Sequence, residues 1–201
     1  DDAALGNSAS VRTGADGSYT LSTLNNKYTI VVVTDDTTID TSSGSVFSGV
    51  TMRARAGSTA VSTATTLMEE GGLSVAQVNK VLGLSSDIDH LTFNAFAADA
   101  NAVDALAVEK ASKQFFTVVN AFAAAVEGSG ASHSDAFKTA LKAVVDVIKV
   151  KANADSTVDL TDGMDLGLIK GNVSTSLTNG VTGANLVAFA EMADDTATSI
   201  K

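Results

Sequence analysis

The chain has 201 residues, 45% of them apolar and 18% charged, a composition that folds around a core rather than staying disordered. Its net charge of −10 excludes the basic footprint that nucleic acid or an anionic lipid surface requires. Cysteine is absent, which removes disulfides, thiolate metal sites and thiol nucleophiles. Proline is absent too, although about ten would be ordinary at this length.

The first residue is Asp1 rather than methionine, so removal of a signal peptide or of further upstream protein is expected. Up to about residue 57, β-branched residues alternate with Ser, Gly and Asp. Residues 17–23 (Gly-Ser-Tyr-Thr-Leu-Ser-Thr) read as a strand after the Asp16-Gly17 turn, with a further candidate strand over 9–13. Asn25-Asn26 then turns the chain into a second strand, Lys27 to Val33. Ser42-Ser43-Gly44 breaks the chain before a third, Val46 to Ala54, with a bulge at Gly49.

From residue 58 onward the spacing becomes helical and alanine-rich. A first helix is predicted from Ser58 to Glu70, stopped by Gly71-Gly72. Ser74 with Gln77 forms a capping box for a second helix ending near Gly83. Asn101 caps the longest helix, Ala102 to Val126, whose apolar positions include Leu106, Phe115, Val118, Phe122 and Val126. Ser132 or Ser134 caps the next, through Phe137, Leu141, Val144 and Ile148 to about Lys151, and the short loop makes this pair an antiparallel hairpin. Thr161, Asp162 and Asp165 open another helix carrying Leu166, Ile169, Val173 and Leu177, stopped by Gly180. Thr182 starts the last, with Leu186, Phe189, Met192 and Ile200. The most apolar stretch, Phe115 to Val126, contains Asn120 and is too short for about 30 Å of hydrocarbon, so no membrane span is expected.

The residues offer little chemistry. His90 and His133 are the only histidines, and neither lies in a Gly-x-Ser-x-Gly, P-loop, dinucleotide-binding or His-x-x-x-His context. His90 reads as a surface or loop-capping residue, and the Asp87/Asp89 pair as helix or loop caps. Carboxylates are the one ligand source, and calcium takes six to eight hard oxygens from such loops. The candidate ligands are Asp1, Asp2, Asp16, Asp35, Asp36 and Asp40; Asp162 and Asp165 read instead as helix caps. A Lys–Asn isopeptide bond is disfavoured, because the head has only Lys27 and no glutamate precedes Glu69.

The segment 13–21 (Thr-Gly-Ala-Asp-Gly-Ser-Tyr-Thr-Leu) resembles the strand-turn segment of carboxypeptidase-regulatory-like, or prealbumin-like, β-sandwich modules. Residues 30–41, 56–67 and 82–94 are similar to a composite segment of repetitive bacterial surface and adhesin-like proteins, in which such a module runs into an alanine-rich helical bundle. The resemblance spans about residues 10–127 and carries no catalytic residues. It implies an α+β protein: a β-rich head over 1–57, an incomplete sandwich lacking a strand, packed on or followed by a helical body over 58–201. A missing strand leaves an open edge for another chain.

The expected function is therefore a non-catalytic extracellular structural protein, a self-assembling subunit of a bacterial surface filament, surface layer or adhesin, whose partners are copies of itself, with or without calcium. The alternative is a module binding surface glycans or matrix proteins. Its weakness is the 5% aromatic content and the lack of tryptophan, since sugar stacking needs aromatic platforms.

Overall fold

Side-chain caps decide where the helices of this chain begin. The structure, a computed structural model, describes residues 9–22, 27–40 and 44–178, and beyond them Phe189, Met192, Ala193, Asp195, Thr198 and Ser199. Helix α1 (Thr63–Gly71) starts at Ser62, whose hydroxyl accepts the Thr65 N–H at 3.3 Å while Thr65 Oγ1 accepts the Ser62 N–H at 2.8 Å. It begins later than the Ser58 expected from spacing. The Thr59 N–H is committed to the Leu91 carbonyl at 2.8 Å, which holds the preceding residues outside the helix. Gly72, at φ 64, closes it in the left-handed conformation.

Helix α2 (Val75–Val81) has the Ser74–Gln77 capping box read from the sequence. Helices α3 (Ala102–Gly128) and α4 (His133–Asn153) are capped by Asn101 and Ser132. Asp162 Oδ2 accepts the Met164 N–H at 2.8 Å in front of α5 (Gly163–Thr178). Of the last predicted helix, Thr182, Leu186 and Ile200 lie outside the described residues, as does Gly180. Phe189, Met192, Ala193 and Asp195 are helical, with Phe189 and Ala193 buried.

Helix α4 lies at the centre, touching α1, α2, α3 and α5. Its buried alanines, Ala136, Ala140 and Ala143, let neighbouring helices approach closely around Phe115, Phe122, Leu67, Ile148, Leu166 and Ile169. Each of those large side chains contributes about 1.5–3 kcal/mol of burial. Leu106 departs from the pattern: it and Val103 are exposed, because the first turns of α3 run past the core.

The β residues form one long hairpin. Strand β1 (Thr29–Val33) pairs antiparallel with β4 (Thr51–Arg55), and β2 (Ile39–Asp40) with β3 (Ser45–Val46). Between the two ladders the Thr34 N–H reaches the Val50 carbonyl at 2.9 Å and the Phe47 N–H reaches the Thr38 carbonyl at 2.9 Å. The strand predicted over Val46 to Ala54 is thus split, and it breaks at Gly49, at φ 75, the position read as a bulge. The strand predicted over 17–23 is not present in residues 17–22, nor is the one over 9–13. The Gly14 N–H bonds the Ser18 carbonyl in a tight turn, and among residues 9–22 only Tyr19 is even half-buried. An alternating segment with nothing to cover its apolar face gains little from extending.

The ribbon's inner face presents Ile30, Val50 and Ala54, all buried, and β4 lies against α1. Near its tip, Phe47 meets Phe116 of α3 edge-on at 5.3 Å, and Asp40 pairs with Lys113. The result is the expected α+β arrangement: a small antiparallel sheet packed on a mostly helical bundle.

Candidate functional site

The two outer edges of the β1–β4 ribbon are treated differently. In an antiparallel ladder, directly opposed residues either exchange both backbone bonds or turn both sets outward. The Arg53 N–H donates to Thr66 Oγ1 of α1 at 3.0 Å, so Arg53 belongs to an outward-turned pair. Its partner across the ladder is Val31. Thr29, Val31 and Val33 therefore direct their N–H and C=O groups away from β4. The edge of β4 is held by Thr66, with Arg53 also paired to Glu70 at 2.7 Å and Arg55 to Glu69 at 3.3 Å. On the β1 edge, Thr29, Val31 and Val33 have no backbone partner outside the ladder among the described residues.

That edge is also apolar. Val31 is 41% and Val33 71% exposed, and Ile39 and Val46 continue the exposed row towards the tip. The strand Thr-Ile-Val-Val-Val contains no charge and no proline, the residues that blunt sheet edges in other proteins. In the sequence the two strands differ in charge, β4 carrying Arg53 and Arg55 and β1 none. The fate of the β4 edge depends on Thr66, thirteen residues beyond Arg53, and the only sequence signal was a threonine pair on a helix whose hydroxyls need partners once buried.

The candidate calcium ligands are not brought together. Asp1 and Asp2 lie outside the described residues. Asp16 Oδ1 accepts the Ser18 N–H at 3.0 Å within the 14–18 turn. Asp35 accepts Thr37 Oγ1 at 2.5 Å and the Thr37 N–H at 2.9 Å, and pairs with Arg12 at 2.9 Å. Those bonds, Thr37 first, hold its carboxyl down at about 2. Asp36 accepts Ser48 Oγ at 2.6 Å, and Asp40 pairs with Lys113. Among the described residues no three metal-binding side chains converge.

His90 differs from its surface reading: it is buried, 1% exposed. Its Nε2 lies 2.6 Å from Asn79 Oδ1, and Asn79 Nδ2 donates to the Ile88 carbonyl at 2.9 Å, so the imidazole proton is assigned to Nε2. The pair fastens the 84–101 loop to α2. Asp89 does cap that loop, accepting the Leu91 N–H at 3.1 Å. Asp162 caps α5 as read, whereas Asp165 does more. Asp165 is buried, accepts the Asp159 N–H at 2.9 Å and pairs with Lys151 of α4 at 2.5 Å.

His133, the first residue of α4, lies over Gly49 of the ribbon, with Nδ1 3.1 Å from Glu127 Oε2. A shallow groove on α3 is lined by Lys110, Lys113, Gln114, Thr117, Leu160 and Thr161. No helix among the described residues is long and apolar enough to cross a membrane. Compared with known proteins, the chain matches no family, no curated protein and no solved structure.

Proposed function

We propose that this is a non-catalytic structural protein that associates with copies of itself, serving as a subunit of an extracellular bacterial filament, surface layer or adhesin. The observation that carries the reading is the β1 edge: five uncharged, β-branched residues, of which Thr29, Val31 and Val33 turn outward backbone groups that have no partner among the described residues. Strand addition satisfies such groups and covers apolar side chains in the same step. Calcium has no part in strand addition on this reading; in the structure Asp35, Asp36 and Asp40 are each engaged by a neighbouring side chain. The extracellular and bacterial part rests on the resemblance of residues 10–127 to surface-protein segments.

The test is sedimentation velocity from low micromolar to millimolar protein, with and without a chelator. The expected result is a mass that grows with concentration, is indifferent to the chelator, and falls back when Val33→Lys places a charge on the edge. A 20.3 kDa species at every concentration would overturn the reading. A thermal shift with soluble glycans would favour the binding-module alternative.

A further inference from the structure

We infer that residues 19–22 are a strap that closes part of the β1 edge within one chain, pairing antiparallel with Thr29–Val32 and so holding back association between copies. The inference rests on the self-association proposed above and adds what governs it. Two sets of unpartnered backbone groups lie close together in the chain. Thr29 and Val31 turn theirs away from β4, and Tyr19, Thr20, Leu21 and Ser22 have no backbone partner among the described residues. Tyr19 is also poorly accommodated outside a strand: its hydroxyl is buried without a hydrogen-bond partner, which is costly. Burial, and after it the neighbouring Tyr28, push that hydroxyl's pKa up, so the segment already lies near the residue that precedes β1.

Only residues 23–26 and the bend at 27–28 separate the segment from β1. A parallel pairing needs a crossover of about a dozen residues or more, so this one is antiparallel. Apolar Tyr19 and Leu21 alternate with Thr20 and Ser22, as buried Ile30 and half-buried Val32 alternate with exposed Thr29 and Val31. Setting Leu21 against Ile30 and Tyr19 against Val32 puts the apolar side chains on the inner face. Thr20 then opposes Val31, and Ser22 opposes Thr29. Because Thr29 and Val31 turn their N–H and C=O outward, these are the pairs that exchange both bonds. A shift of two residues one way sets Val31 against Ser18, whose carbonyl already accepts the Gly14 N–H at 2.8 Å and whose N–H donates to Asp16 at 3.0 Å. The opposite shift sets polar Thr23 against buried Ile30. The remaining register is also that of the Asn25-Asn26 turn expected from the sequence, which lies outside the described residues.

The strap ends at Tyr19, because the Ser18 backbone is committed, and Val33 stays open. A short tether gives an effective concentration in the millimolar range, so at micromolar protein the strap outcompetes a second copy for Thr29 and Val31. Association in that range then requires its displacement.

The absence of cysteine makes the test direct. Hydrogen-bonded antiparallel pairs have Cα atoms about 5.5 Å apart, within disulfide range, whereas diagonal neighbours lie about 7–8 Å apart. At low micromolar protein under mild oxidation, the Thr20→Cys/Val31→Cys variant is expected to form a disulfide within one chain, and Thr20→Cys/Val33→Cys is not. Thr20→Pro removes a strap N–H at an exposed position, and is expected to lower the concentration at which sedimentation velocity detects association by about tenfold. Circular dichroism of each variant verifies the fold. Failure of the first pair to close, equal closure of the second, or a disulfide between copies overturns the strap and leaves the proposed function to its own test. An unchanged association threshold in Thr20→Pro overturns its regulatory part. If Thr20→Pro stays monomeric at every concentration while the first pair closes within one chain, the strap stands and the proposed function falls.

Discussion

Thr66 of α1 seals the outer edge of β4 through Arg53: its Oγ1 accepts the Arg53 N–H at 3.0 Å and sends its own proton to the Ser62 carbonyl at 2.8 Å. Valine matches threonine in shape, so Thr66→Val removes these bonds without opening a cavity. It leaves the part-buried Arg53 N–H unpaired, at a cost of about 1 kcal/mol in urea unfolding. A change below about 0.5 kcal/mol would show that the bond holds nothing.

Gly49 combines a left-handed backbone with the close approach of His133. A Cβ there would lie 2.9 Å from His133 Cδ2 and nearer still to Nε2. Gly49→Ala is expected to cost about 1–2 kcal/mol from backbone conformation alone, with the displacement of the imidazole added. His133→Ala removes the obstacle, so the double variant should regain the steric part and keep the backbone part. Urea midpoints of the four-protein cycle measure this coupling, and strict additivity would contradict it.

The Lys151–Asp165 pair ties α4 to the start of α5 across a nearly buried contact. Lys151→Met leaves a buried carboxylate unpaired, with an expected loss of about 3 kcal/mol or more. Adding Asp165→Asn restores most of it, because the amide oxygen still accepts the Asp159 N–H. Chemical denaturation of the single and double variants checks both statements.

His90 supplies a dependence on pH. Burial holds its imidazole below the usual value, with the Asp89 charge opposing. The unfolded chain therefore takes up this proton first on acidification. The stability it contributes is complete above about pH 6.5 and is lost as pH falls from there through the lowered native value. Between about pH 7.5 and 5.5 the urea midpoint is expected to fall more in the wild type than in His90→Gln, which keeps a donor towards Asn79. Parallel curves would exclude His90 as the cause.

The helices were legible because their ends are written locally. Ser74 with Gln77, Asn101 and Ser132 each announce a start within three residues of it, and the spacing of Leu166, Ile169, Val173 and Leu177 names the face that α5 buries. The ribbon was legible where β-branched residues are dense, over Thr29–Val33, and not over 17–22. There the alternation is present, but tertiary packing does not cover it. Asp35 and Asp40 read as candidate ligands because a carboxylate cluster looks the same in sequence whatever it faces, and the partner each meets in the structure could not be read there. Those partners, Arg12 and Lys113, are 23 and 73 residues away. His90 misled for a related reason: its polar neighbours Asp87 and Asp89 suggest surface, while its burial is set by Asn79 on α2.

The anchoring of the ribbon tip to α3 bears on the order of folding. Phe47 meets Phe116, and Asp40 meets Lys113, across about seventy residues of chain. Closing loops of that length is slow beside forming a helical hairpin whose contacts are local, so α3 and α4 assemble first and the ribbon docks onto them. During synthesis β1 and β4 emerge long before α4 is complete at Asn153. The helix that lies against β4 is α1, complete at Gly71, so at about 5–20 residues per second the inner face waits only about 1–3 s for that cover, and longer for α3 and α4. The tip, whose partners Phe116 and Lys113 lie on α3, is thus made early and is the last part of the ribbon to be protected.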